Sequence, residues 1–148
     1  MKNEQMAAEN KANHEFSIQR IYVKDISFEA PHLPEIFQLE WVPQIDLNLD
    51  VDSRKISDGI YEVLLHVVVT VKLQDKLAFL VEIKQAGVFV LRGFTEEQHE
   101  HMSNSYCPEV LFPYARELIS ETITRGGFPP LYLAPINFDA VHTARKLN

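Results

Sequence analysis

Three consecutive segments of the chain alternate apolar and polar residues and are joined by short turn sequences. Residues 44–52, "QIDLNLDVD", alternate strictly, and residues 60–73 and 76–91 continue the pattern. Side chains of a β-strand point alternately to opposite faces, so this period of two predicts strands that turn one face towards a core. Ser57-Asp58-Gly59 and Gln74-Asp75 predict hairpin turns between them. These segments restrict the chain to folds built on an antiparallel sheet.

A fourth strand is predicted over residues 16–29, which are rich in β-branched and aromatic side chains. Simple alternation through "KDISFEAP" places Asp25 and Glu29 on the same face as Ile21 and Val23. That face begins apolar and ends acidic. Residues 1–13 are polar and are predicted to be disordered, which leaves residues 14–148 as one domain.

The segment between the first two strands, residues 30–43, combines three prolines with Phe37, Trp41 and other large apolar residues. Burying a Phe or Trp removes roughly 150 to 250 Å² from water. At about 25 cal/mol/Å² this contributes roughly 4 to 6 kcal/mol at most. The segment is therefore predicted to be an apolar crossover that packs on a surface.

Helices are predicted after the strands. Thr95 and Gln98 have the spacing of a capping box, and this helix is expected to falter near Cys107 and to resume with Pro108 in its first turn. An apolar stripe from Leu111 to Ile123 predicts a long helix that ends at Gly126-Gly127, and a short helix is expected from about Asn137. The predicted fold class is α+β: a four-stranded antiparallel sheet, one long helix and a short C-terminal helix.

One helix cannot cover a sheet of this length, and apolar residues also fall on its other face: Leu64, Val68, Leu80, Val88 and Val90. Uncovered apolar surface predicts an oligomer or a binding groove.

Composition excludes several functions. The net charge of −7 disfavours nucleic acid as a partner, and a single cysteine, Cys107, excludes an internal disulfide and a zinc site of several thiolates. No apolar run is long enough to insert into a membrane, and no signal core precedes the domain, so a cytoplasmic protein is expected.

Candidates for catalysis or metal binding are few. His99 and His101 are two residues apart, whereas helical metal pairs are spaced by three or four. His66 has no visible partner, and Cys107 is interpreted as a buried, inert thiol. No catalytic residue, metal or cofactor is predicted; an enzyme that uses the region 99–107 is kept as an alternative.

Four sequence blocks are similar to the bacterial protein-export chaperone family SecB: "IQRIYVKDISFEAP", "FLVEIKQAGVF", "YCPEVLFPYARELI" and "RGGFPPLYLAPINFDA". They extend in order from about Phe16 to Ala140. The resemblance implies an ATP-independent chaperone that holds preproteins unfolded and export-competent. It also implies a homotetramer, a dimer of dimers, with the long helices between two eight-stranded sheets. The helix-layer residues that the resemblance implies are Val81, Ile83, Gln85, Leu111, Ala115, Leu118, Ile119 and Thr122.

The same resemblance implies two binding surfaces. The client-binding groove would include Phe37, Trp41, Ile45, Leu47, Leu49, Phe138 and Val141, although alternating apolar residues of a strand are also typical of an ordinary core. The motor ATPase SecA would dock on Asp25, Glu29, Leu80 and Glu82, although the acidic residues also fit a solvated strand end.

The C-terminus departs from the family pattern. Some relatives continue into an acidic tail that contacts SecA, whereas this sequence ends in the short basic stretch "TARKLN". A SecB-like chaperone dedicated to one client, such as an antitoxin, remains an alternative to a general export chaperone.

Overall fold

The computed structural model describes residues 14–147, with side chains up to residue 145, so the predicted disordered segment 1–13 lies outside the described residues. The strands are β1 (Glu15–Glu29), β2 (Gln44–Ser57), β3 (Ile60–Leu73) and β4 (Lys76–Arg92), with a 3-10 turn at Glu35–Gln38 between β1 and β2. The helices are α1 (Glu96–His101), α2 (Cys107–Arg125) and α3 (Phe138–Leu147), and a π-helical segment, Met102–Tyr106, joins α1 to α2. The predicted α+β fold is confirmed.

The four strands form one antiparallel sheet in the order β1-β4-β3-β2. Two-residue turns join β2 to β3 and β3 to β4 at the predicted places, although Ser57, predicted as part of the first turn, is the last residue of β2. Gly59 has a φ of 71°, and Gln74 and Asp75 have φ values of 49° and 65°. Positive φ at the turn residues gives the hairpin the twist of its strands. This order leaves β1 and β2 as the two edges of the sheet.

A β-bulge in β1 changes the predicted distribution of its side chains between the two faces. The register with β4 shifts between Val23 and Asp25, so Lys24 is an extra residue. Val23 lies opposite Gln85, whereas Asp25 lies opposite Lys84. The expectation that Asp25 and Glu29 share a face with Ile21 and Val23 is therefore wrong, because strict alternation does not continue through a bulge.

The core lies between α2 and one face of the sheet, which we call the inner face. Phe79, Val81, Ile83 and Phe89 of β4 are fully buried together with the stripe of α2, which consists of Leu111, Ala115, Ile119 and Ile123. Gly87 permits this approach: a Cβ there would lie 2.8 Å from the Phe89 ring and 3.1 Å from Leu111 Cδ2. Gly87 therefore marks a close approach between β4 and α2.

The helical region is continuous where a break was predicted. Thr95 Oγ1 accepts a bond from the Gln98 amide at 3.2 Å, and Gln98 Oε1 accepts one from the Thr95 amide at 3.0 Å, which confirms the capping box. The irregularity expected near Cys107 takes the form of the π-helical segment immediately before it. Pro108 lies in the first turn of α2, and because the π-helical segment runs directly into this turn, its missing N–H falls inside the continuous helical region.

Candidate functional site

The C-terminal end of α2 positions the first part of the candidate groove. Gly127 has a φ of 90°, and the Phe128 amide donates to the Ile123 carbonyl at 3.3 Å. A left-handed residue with this bond is typical of a Schellman cap, which turns the chain sharply after a helix. A Cβ on Gly127 would lie 2.9 Å from Phe37 Cζ, so a larger residue there would have to displace the Phe37 ring. The cap therefore directs Phe128 towards the crossover and the sheet.

Phe128 is the centre of an aromatic cluster. Its ring centroid lies 5.2 Å from that of Phe37, 6.1 Å from Trp41 and 4.8 Å from Phe79. Phe128 and Phe79 are buried, whereas Phe37 is 51% exposed and Trp41 is 36% exposed. The cluster therefore has a buried base that fixes two exposed aromatic side chains, which can contact a ligand without losing much conformational freedom of their own.

An apolar strip continues from this cluster along the edge strand β2. Ile45 lies opposite Val71, which lies opposite Phe79, so Ile45 is in the same inner-face row as the base of the cluster. Ile45 is 47% exposed, and Leu47 and Leu49 are half-buried against the core. We define the apolar strip as Phe37, Trp41, Ile45, Leu47 and Leu49.

Helix α3 is fixed beside the far end of this strip. Asn137 Oδ1 accepts a bond from the Ala140 amide at 3.1 Å and so caps the helix. The Arg145 guanidinium contacts the Leu49 carbonyl at 3.3 Å and also pairs with the Asp50 carboxylate. Arg145 therefore covers part of the free edge of β2.

The first turn of α3 is bound to the segment around α1. Asp139 Oδ1 lies 2.8 Å from His101 Nε2 and accepts a hydrogen bond from Ser105 Oγ. These two bonds, from Ser105 first and then His101, lower the pKa of Asp139 below its ordinary value. The ring of Phe138 packs edge-on against Phe112 at 5.9 Å. Helix α3 thus has one apolar anchor and several polar ones.

The structure brings most of the predicted groove residues together on the inner face. Phe138 is only 2% exposed, so it supports α3 from the core side and does not present its ring to solvent, while Val141 is half-buried. Sequence reasoning missed Phe128 as the centre of the aromatic cluster. The signal available for it was a phenylalanine between a helix-ending Gly-Gly and Pro-Pro, a position that fixes the chain next to the end of a buried helix.

The predicted SecA-docking residues lie together on the opposite, outer face. Glu29 is directly opposite Leu80, and Ser27 of the same strand is opposite Glu82. Asp25 is opposite Lys84, which neighbours Glu82 along the same face of β4. We call Asp25, Glu29, Leu80 and Glu82 the acidic patch.

A second cluster on the outer face surrounds Glu62, which is only 8% exposed. Its carboxylate accepts bonds from the Tyr22 hydroxyl at 2.5 Å and from Lys24 Nζ at 2.9 Å, and Arg54 lies at 3.4 Å. Burial alone would raise the pKa of Glu62, but the hydrogen bonds from Tyr22 and Lys24 outweigh burial and lower it. Burial, followed by the contact with Glu62, raises the pKa of Tyr22 to about 12. The bulge residue Lys24 is thus used as a counter-ion.

Most of the predicted helix-layer residues are internal to one chain. Those buried in the core or beneath α2 are Val81, Ile83, Gln85, Leu111, Ala115 and Ile119. Leu118 and Thr122 are half-buried, and the free side of α2 exposes Tyr114. Leu118 and Tyr114 line a cleft of about 320 Å³ between α2 and β1.

Within the described residues, no group of three or more metal-binding side chains lies close together. Cys107 is buried, as predicted, and burial raises the pKa of its thiol to about 12. A neutral, inaccessible thiol is a poor nucleophile, so the alternative of an enzyme centred on Cys107 is disfavoured. No helix in residues 14–147 combines the length and the apolar character needed to cross a bilayer.

Comparison with known proteins identifies the family of this chain. The model of the SecB family, described as preprotein translocase subunit SecB, matches residues 9–148. The chain belongs to the SecB family. The resemblance of the four sequence blocks is thereby confirmed, and so is the expected place of the chain among protein-export chaperones.

Individual relatives agree with the SecB assignment. The protein-export protein SecB of Methylococcus capsulatus is 49% identical, over 93% of this chain and 89% of the relative. The protein of the same name from Buchnera aphidicola is 50% identical, over 93% of this chain and 96% of the relative. A solved SecB-like chaperone of Mycobacterium tuberculosis, in complex with a ChAD peptide from an antitoxin, is only 17% identical. The structural match covers 89% of this chain and 96% of the Mycobacterium chain, with a TM-score of 0.68. This likeness supports the fold.

Proposed function

We propose that this SecB-family protein is an ATP-independent cytoplasmic chaperone that holds preproteins unfolded and delivers them to SecA for export. The observation that carries the proposal is the apolar strip, in which Phe37, Trp41 and Ile45 are exposed on one side of the sheet. Large apolar side chains in a continuous exposed row are typical of a binding surface in a soluble protein. The mechanism needs no cofactor and no catalytic residue.

The chemistry of the strip fits unfolded clients. Contact between apolar surfaces depends on buried area and little on direction, so one strip accepts many sequences. The aromatic cluster supplies rigid contact area at low entropic cost. Leu47 and Leu49 extend the strip towards α3, where Val141 would line the groove. The net charge of −7 favours client segments with basic residues, and the SecB family resemblance implies that such segments are also rich in aromatic residues.

Substitution of Ile45 tests the groove. Ile45→Asp should weaken binding of an unfolded preprotein by about 10-fold, because it removes apolar contact area and adds a carboxylate that must be desolvated. The measurement is fluorescence anisotropy with a labelled preprotein kept unfolded.

Ile56→Asp is the matched control, since Ile56 is 50% exposed on the same strand but outside the strip. It should bind as the wild type does. Equal affinities for the wild type and Ile45→Asp would refute the groove. Repeating the titration with several unrelated preproteins separates a general chaperone from one dedicated to a single client.

The acidic patch is the proposed docking surface for SecA. Asp25, Glu29 and Glu82 present carboxylates on a flat sheet face, and Leu80 supplies an apolar contact among them. Charges of one sign on such a surface steer and orient a basic partner over about 8 Å at physiological salt.

Charge reversal at Asp25 and Glu29 should abolish SecA binding at physiological salt and leave client binding unchanged. The same reversal at Glu97, an exposed residue in the first turn of α1, is the control and should have little effect. Isothermal titration calorimetry measures the affinity of both variants for SecA. Normal SecA binding by the doubly reversed variant would contradict the assignment of the patch.

We further propose that the protein works as a homotetramer, a dimer of dimers. Strand β1 is a fifteen-residue edge whose inner side exposes Ile18, Val23 and Ile26. Pairing of two β1 edges would join two sheets into one of eight strands and bury these residues. The cleft beside Leu118 and Tyr114 would receive contacts between the helices of different copies.

A further inference from the structure

The outer face contains an ion pair that involves the acidic patch. His66 Nε2 lies 2.6 Å from Glu82 Oε1, with the two side chains 30% and 35% exposed. His66 is on β3, directly opposite Lys84, and reaches diagonally to Glu82 on the neighbouring strand. One carboxylate of the proposed docking surface is therefore already in contact with a titratable base.

The other charged groups around His66 lie on every strand of the sheet. On β2, Asp50 is directly opposite, and its carboxylate pairs with Arg145 of α3. Asp52 is diagonal to His66 on the same strand. On β1, Asp25 lies in the same row beyond Lys84.

Along β3 itself, Glu62 shares the face of His66, but its carboxylate is occupied by Tyr22 and Lys24. Among these charged neighbours of His66, Glu82 is the one that forms an ion pair with it.

The protonation state of His66 has a large effect on the charge of this small area. Asp25, Glu29 and Glu82 are three carboxylates, and Lys84 is one permanent cation among them. The patch with Lys84 and His66 therefore has a net charge of −2 when His66 is neutral and −1 when it is protonated. Protonation of His66 therefore adds one positive charge directly beside Glu82.

We propose that His66 determines the affinity of the acidic patch for its basic partner by competing for Glu82. A protonated His66 neutralises this carboxylate, and a partner cation must displace the imidazolium before it can pair with Glu82. A neutral His66 leaves the carboxylate charge uncompensated. This inference rests on the proposed docking of SecA to the patch.

The test compares SecA binding by the wild type, His66→Gln and His66→Arg between pH 6 and pH 8. Glutamine retains a hydrogen-bond donor without a charge, and arginine is a permanent cation. His66→Gln should bind SecA about 2- to 5-fold more tightly than His66→Arg, the range expected for a partly exposed ion pair, and the wild type should approach His66→Arg as the pH falls. Because all three proteins meet the same SecA, any titration of SecA itself cancels.

Two further measurements make the outcome decisive. The difference between the variants should diminish at 0.5 M salt, where exposed charges are screened. Glu82→Gln should weaken SecA binding, and adding His66→Gln to it should cause no further pH-dependent change. If Glu82→Gln weakens binding but His66→Gln follows the wild type at every pH, the inference about His66 is overturned and docking stands. If Glu82→Gln binds SecA normally, the docking proposal itself fails.

Discussion

At the scale of single residues, the nearly buried carboxylate of Glu62 connects side chains from β1 and β2 on the outer face of the sheet. Glu62 is on β3 and accepts bonds from Tyr22 and Lys24 of β1, two strands away. It also lies directly opposite Arg54 of β2. A nearly buried carboxylate that is fully paired is costly to disturb, because removing it leaves the partners without an acceptor.

We expect Glu62→Ala to lower the free energy of unfolding by about 1 to 3 kcal/mol, because the half-buried Tyr22 hydroxyl loses its acceptor, whereas the Lys24 side chain is 46% exposed and can be hydrated. Urea unfolding at a fixed protein concentration measures this. Glu29→Ala, at the exposed end of β1, is the control and should change stability by less than about 0.5 kcal/mol. An equally small effect at Glu62 would contradict the role given to this cluster.

The stability that Glu62 contributes depends on pH. Because the folded-state pKa of Glu62 is lowered from 4.5, its contribution is fully present above that value and is lost as the pH falls through the lower folded pKa. The stability difference between the wild type and Glu62→Gln should therefore shrink in acid.

At the scale of secondary-structure elements, the sequence predicts the parts whose signals are local. Alternation, turn residues and the Thr95 capping box predict the strands of the two hairpins and the start of α1. The bulge at Lys24 is also encoded: the apolar residues Ile21, Val23, Ile26 and Phe28 are spaced by two, three and two, and the interval of three marks the extra residue. Simple alternation overlooks it.

The arrangement of the elements is not predictable in the same way. That β1 pairs with β4, and that Phe128 meets Phe37, Trp41 and Phe79, depends on contacts between residues far apart in sequence. Local periodicity carries no information about such pairs. The roles of the groove and of the acidic patch come from family resemblance and remain predictions.

Helix α3 provides a test at this scale. We expect Asp139→Ala to increase hydrogen exchange across residues 138–147 by about 5-fold, because the first turn loses its bonds to His101 and Ser105. Exchange measured by mass spectrometry reports this directly.

Protection in the wild type should also fall as the pH drops below the ordinary aspartate value of 3.8, since the lowered pKa of Asp139 makes its ionised form the stabilising one. Asp46→Ala, on β2, should leave α3 protected as in the wild type; unchanged protection in Asp139→Ala would refute the anchor.

At the scale of the whole molecule, the two faces of one sheet have separate proposed roles. The inner face holds α2, the aromatic cluster and the apolar strip, while the outer face has the acidic patch and the Glu62 cluster. Client binding and SecA docking on opposite faces would allow both partners to be bound at once. Assembly through β1 would bring several strips onto one particle, which raises avidity for a long unfolded chain without any new contact.

Native mass spectrometry of the full protein with an unfolded preprotein tests the central claim most directly. We predict a particle of four 17.1-kDa chains that gains the mass of the preprotein when the preprotein is unfolded and gains nothing when it is folded. A tetramer that takes up no unfolded preprotein, or equal uptake of the folded form, would contradict it.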